Sequence, residues 1–261
     1  MNSGVRPGWQ RDPGASQTAE SQHGAGRDAC RAERSPVPEG SSKRLVPVER
    51  PLKPRLRGVS HQYAALVAAP AGLALVAASP TPAARLPLAV YAVALVGLFA
   101  MSALYHRVTW SPTARQRLRR LDHGMIFVLI AGTATPFAVL VLPPPVGTTV
   151  LAVAWTAALG GVGLRVVWGA APKWVTALVC VALGWAALAT LPALWSALGP
   201  WAVLLLVGGG AVYTVGAAVY ALRRPDPAPA VFGYHEVFHA LVILAAALHF
   251  AAVASWLLPR A

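Results

Sequence analysis

The sequence predicts an all-α membrane protein, a bundle of seven transmembrane helices with the N-terminus in the cytoplasm and the C-terminus outside. Three observations predict it. Hydrophobic residues make up 56% of the 261-residue chain and charged residues only 12%, against about 25% charged in a soluble domain. Seven apolar segments follow one another, each close to the roughly 20 residues that a span needs. Apart from Arg85 in the first loop, the basic residues between those segments fall in alternate loops.

Residues 1–54 are rich in Ser, Pro, Gly, Arg and Glu, with few large apolar side chains. Such a segment cannot bury a core, and a disordered cytoplasmic tail is expected there. The first apolar run starts near residue 59, too late for a secretory signal peptide. The membrane domain is expected over 55–258. Its spans are expected at 59–79, 86–106, 122–142, 147–168, 173–193, 200–222 and 235–257. Prolines and glycines supply the breaks. Ser79-Pro-Thr-Pro82 closes the first span, Pro143-Pro-Pro145 the third, and the stretch from Pro225 to Pro229 the sixth. Ala171-Pro172 and Gly199-Pro200 mark two further breaks. Trp168 with Trp174, and Trp195 with Trp201, flank two loops as interfacial anchors do.

Orientation follows from the loop charges. The segment from Lys43 to Arg57 carries six basic residues, and the second loop holds Arg107, Arg115, Arg117, Arg119 and Arg120. Arg165 and Lys173 border the fourth loop, and Arg223 with Arg224 lie in the sixth. The third and fifth loops have none. Excess Lys and Arg mark the cytoplasmic side, so the even-numbered loops and the tail lie there. The net charge of +13 is therefore a topology signal and an attraction to anionic headgroups. It is not a nucleic-acid surface, because the cations occupy a tail and short loops. Cys30 lies in the tail and Cys180 in an apolar run, so no disulfide is expected.

Only Asp122, Asp226 and Glu236 carry negative charge in the last 203 residues. With the topology above, the ionisable residues of the spans return to one level. His61 begins the first span, Ser102 and His106 close the second, Asp122 and His123 begin the third, and His235, Glu236 and His239 begin the seventh. All these positions are on the cytoplasmic side. His249 lies deeper, about 15 Å beyond His239 at 1.5 Å per residue. His235 and His239 share a helix face at i, i+4, as do Ser102 and His106. Three imidazoles and one open position form a common catalytic zinc arrangement, with Asp122 able to hold water or orient a ligand. Each residue also has a plainer explanation. Asp122 alone is a carboxylate favoured by a helix N-terminus. His61 and His123 read as interfacial residues, and His249 as a structural hydrogen-bonding group. His235-Glu-Val-Phe-His239 matches H-E-x-x-H, with Glu236 as general base of a metalloprotease, although no third acidic ligand motif follows it.

Ser102-Ala-Leu-Tyr-His106, the block from Leu121-Asp-His-Gly124 to Thr135-Pro136, and Gly233-Tyr-His-Glu-Val-Phe-His239 resemble the three signature blocks of the hemolysin III family. Lys53-Pro-Arg-Leu-Arg-Gly58, Tyr213-Thr-Val-Gly-Ala217 and Ala247-Leu-His-Phe250 fit as well, so the resemblance covers about residues 53 to 258. Thr133-Ala-Thr135 replaces the more usual Thr-Tyr-Thr. The family is similar to progestin and adipoQ receptors and, more distantly, to alkaline ceramidases. The resemblance implies a seven-helix bundle in the cell membrane with zinc near the cytoplasmic face. It places the zinc ligands on His106, His235 and His239, the aspartate on Asp122 and the serine on Ser102. The expected activity is hydrolysis of a lipid amide or ester, with membrane lipids as partners. The alternatives are a receptor-like regulator of lipid state with structural zinc, and a cytolytic channel.

Overall fold

The structure, a computed structural model, describes residues 53–168 and 172–260. The tail expected over 1–54 and Cys30 lie outside the described residues, apart from Lys53 and Pro54. The described residues form eight α-helices: α1 Val59–Ala77, α2 Pro82–Arg107, α3 Pro112–Leu140, α4 Pro144–Val167, α5 Lys173–Ala186, α6 Leu191–Leu198, α7 Pro200–Leu222 and α8 Tyr234–Ala252. Among the described residues they make seven segments long and apolar enough to cross a membrane, because α5 and α6 share one. Large apolar side chains such as Leu66, Leu73, Val93 and Leu204 point outward from the bundle. A lipid-facing surface needs this pattern, since the hydrocarbon layer offers no partner to a polar group.

The helix starts follow local chemistry. Proline stands in the first turn of α2, α3, α4, α6 and α7, where its missing N–H costs nothing. The Thr81 hydroxyl accepts the Ala84 N–H at 3.3 Å, and the Ser111 hydroxyl accepts the Ala114 N–H at 3.3 Å. This second cap corrects a boundary. The third span is expected from 122, yet α3 begins at Pro112. Apolar patterning marks where lipid begins, whereas the helix starts where a cap and helix-forming Arg and Gln allow it. Asp122 and His123 therefore lie about three turns inside α3, and a helix-terminal charge no longer explains Asp122.

The fifth span also differs from expectation. It runs through a 3₁₀ turn, Ala187–Thr190, between α5 and α6, reaching Leu198. After α8 the chain continues through a π turn at Val253–Leu257. Neighbours in sequence pack together from α1 to α4, and α7 lies along α8. Contacts between α8 and α1 join the ends of that arrangement, while α5 packs mainly on α7. Trp155 Nε1–H donates to Thr135 Oγ1 at 3.1 Å between α4 and α3, and Trp185 Nε1–H to Thr214 Oγ1 at 2.8 Å between α5 and α7. Trp168, Trp174, Trp195 and Trp201 are all well exposed, as interfacial anchors are.

Candidate metal centre

The end of α2, the interior of α3 and the start of α8 converge at one level of the bundle. The start of α8 is pinned by two carboxylates. Asp226 accepts the Tyr234 N–H at 2.8 Å, and Glu236 Oε2 accepts the Gly233 N–H at 2.9 Å. On α8 the i, i+4 spacing turns His235 and His239 to one side, facing His106 on α2. The Nε2 atoms of His106 and His235 stand 3.2 Å apart. Potential ligand atoms of His106, His235 and His239 all lie within 4.8 Å of one another, and all three residues are buried.

These residues fit a metal ion. Zinc–nitrogen bonds of about 2.0–2.1 Å put two tetrahedral ligands about 3.3 Å apart, close to the His106–His235 separation. His239 Nδ1 is buried without a hydrogen-bond partner. All three donors are imidazole nitrogens, which suit zinc and its neighbours in the first transition row better than calcium or magnesium. Asp122 stands beside them, its Oδ2 3.9 Å from His106 Nε2. Ser102, one turn before His106 and 3% exposed, donates its hydroxyl to the Asp122 carboxylate.

The accessory residues divide. His61, expected at an interface, is 3% exposed and stacks flat on the His239 ring, centroids 3.9 Å apart and planes 9° from parallel. Gly58, just before α1, lets the chain pass close to His106 at the end of α2. It has φ +79°, and a Cβ there would meet His106 Cβ at 2.6 Å. His123 is drawn away from the triad into another polar group, where Arg165 Nη2 lies 2.9 Å from its Nδ1 and the Tyr220 hydroxyl 3.2 Å from its Nε2. Glu236 is 1% exposed and forms an ion pair with Arg57. Its carboxylate is thus committed to capping α8 and binding Arg57, a structural arrangement and not that of a protease base. His249 Nε2 donates to the Leu206 carbonyl at 3.0 Å, the structural hydrogen bond expected of it.

Sequence reasoning missed Arg57 as the partner of Glu236, and Arg165 and Tyr220 as interior polar groups. One signal was available for Arg165, which lies inside the apolar segment 147–168 and not beyond it. The metal centre opens into a cavity of about 1210 Å³ inside the bundle. Its polar end holds Ser102, His106, Asp122 and His235, and the rest reaches apolar residues such as Leu129, Phe137 and Leu194. Cations crowd the mouth. Lys53 is held below the usual ammonium range by burial and by Arg115, Arg107 and Arg57.

The chain resembles proteins already described. It is 31% identical over 206 residues to Hemolysin-3 of Bacillus cereus, covering 78% of this chain and 91% of that protein. It is 29% identical over 154 residues to the Hemolysin-3 homolog of Bacillus subtilis (strain 168), covering 59% of this chain and 69% of that one. No solved structure matches it. The family model described as Haemolysin-III related matches residues 50–250, a range that contains α1 to α7, nearly all of α8 and every residue of the metal centre, and the chain belongs to that family.

Proposed function

We propose that the protein is a zinc-dependent hydrolase of a lipid amide or ester, working at the cytoplasmic side of the cell membrane. The observation that carries this reading is the placement of His106, His235, His239 and Asp122 at the polar end of a cavity large enough for an acyl chain. Ligand pockets usually measure about 300–1,000 Å³ and are mainly apolar with a few placed polar groups. Zinc, when bound, would make water a better nucleophile near neutral pH and polarise the scissile carbonyl. His106, His235 and His239 would hold the ion. Asp122 Oδ2 would accept the proton of the attacking water, and the Ser102 hydroxyl would fix the carboxylate in place for it. The apolar walls would bind the chain and exclude bulk water from the reacting carbonyl.

The test has two stages. Purified wild type is expected to carry about one zinc per chain by elemental analysis, and His235→Ala none. Asp122→Asn is then expected to keep its zinc and lose at least about 100-fold in turnover on the lipid amide or ester found by screening, as removal of a general base does. Wild type without metal would remove the premise.

A second reading has one observation in its favour. Asp122 Oδ2 lies 3.9 Å from His106 Nε2; were it to join the three histidines on the ion it would close the site, and closed four-ligand zinc sites are structural. The protein would then be a receptor-like regulator of lipid state. On that reading Asp122→Asn loses zinc and thermal stability together. The names of the relatives bring a cytolytic channel to mind, but the apolar cavity wall favours a lipid over a column of water.

A further inference from the structure

Arg165 is 4% exposed, near the end of α4, and lines the cavity. Its Nη1 donates to Thr176 Oγ1 at 3.2 Å and its Nη2 to His123 Nδ1 at 2.9 Å. A guanidinium can only donate, so His123 Nδ1 is the acceptor and its proton sits on Nε2, facing the Tyr220 oxygen. Both partners of Arg165 are therefore neutral. Arg165 Nε is buried with no hydrogen-bond partner.

The charge has no counter-ion among the described residues. Three acidic residues follow Lys53, and each is committed elsewhere: Asp122 to Ser102 and His106, Asp226 to the Tyr234 N–H, and Glu236 to Arg57 and Gly233. The charged groups that act on Arg165 include Arg119 and Arg120, which repel it. An intramembrane charge normally pairs or snorkels to water. Snorkelling would leave the head exposed, whereas this head is turned into the bundle between α3 and α5. A buried cation with a free donor, beside an apolar cavity, is arranged for an anion that the described residues do not supply.

We propose that Arg165, framed by His123 and Thr176, binds the oxyanion of a single-chain amphiphile, a carboxylate or a phosphate, whose hydrocarbon chain fills the cavity. Arg suits either group, since both accept two parallel N–H bonds. Tyr220 joins this site to the metal centre, its hydroxyl 3.2 Å from His123 Nε2 and its ring centroid 5.8 Å from that of His235. The inference rests on reading the cavity as a lipid site, and not on hydrolysis.

The full chain, held in nanodiscs of a zwitterionic phospholipid, is titrated with radiolabelled hexadecanoate. Competitors are hexadecanol, hexadecyl phosphate and inorganic phosphate. Wild type is expected to prefer hexadecanoate or hexadecyl phosphate over hexadecanol by at least about tenfold, roughly one charge-assisted hydrogen-bond pair. The stronger of the two competitors identifies the oxyanion. Arg165→Gln is expected to lose that preference and Arg165→Lys to keep most of it. Equal binding of hexadecanol by wild type overturns the proposal, and this comparison stands even where Arg165→Gln does not fold. A folded Arg165→Gln that keeps the preference overturns it too. Competition by inorganic phosphate as strong as by hexadecyl phosphate overturns the requirement for a chain. Asp122→Asn, measured in parallel, separates the two readings: normal binding without turnover supports both, and normal binding with normal turnover leaves this one standing alone.

Discussion

Glu236 shows how one residue can belong to a motif by sequence and to another role by structure. It sits inside H-E-x-x-H, yet its carboxylate closes a clasp between Arg57, ahead of α1, and the first turn of α8. Removing one member of a buried ion pair costs about 3–5 kcal/mol. Glu236→Gln is thus expected to lower the thermal midpoint markedly while the folded fraction keeps its zinc and its turnover per zinc. Loss of turnover at full zinc occupancy would restore the protease reading. Ser102→Ala should act differently, leaving stability within about 1 kcal/mol and reducing turnover through a misoriented Asp122. His106, His235 and His239 could be read in advance because helical spacing and topology alone bring them to one level. The clasp could not, because Arg57 and Glu236 are far apart in sequence and neither lies in a pattern that names the other. Arg165 was hidden for a related reason: a cation near a span's end looks like a topology marker until its accessibility is known.

At the scale of the element, the helices were legible where apolarity and structure coincide and were shifted where they do not. The start of α3 is one such case, since Ser111 and Pro112 begin the helix well outside the apolar run. The break between α5 and α6 is another, since the apolar run continues through Ala187–Thr190 and only Pro192, in the first turn of α6, marks it. The close turn between α3 and α4 offers a direct test of packing. A Cβ at Gly147 would lie 2.1 Å from the Ala138 carbonyl oxygen, whereas one at Gly163 would have nothing within 4 Å. Small residues permit such approaches between membrane helices. Gly147→Ala should destabilise by about 1–3 kcal/mol, the usual cost of overpacking, because a backbone carbonyl cannot swing aside. Gly163→Ala should be neutral or slightly stabilising. Thermal aggregation of the two purified variants, compared at one heating rate, distinguishes these outcomes.

At the scale of the molecule, the expected orientation has a direct test. Alkaline phosphatase fused after Ala261 is expected to be active and a fluorescent protein fused there dark. The reverse result would place the metal centre outside the cell. A thickness argument also follows from α3. Its 29 residues make a rod about 43 Å long at 1.5 Å per residue, whereas the hydrocarbon layer is about 30 Å thick. The surplus is the stretch from Pro112 to Arg120, in which Arg115 and Arg117 are exposed and belong among phosphates and water. The rod is therefore moored at one end, and Asp122 hangs at a set depth below its mooring. Tilting is one response of such a rod to a thinner or thicker bilayer, and it would carry Asp122 on α3 relative to the histidines on α2 and α8. Hydrocarbon chain length in the host bilayer, with no change in the protein, thus becomes a control on the geometry of the centre.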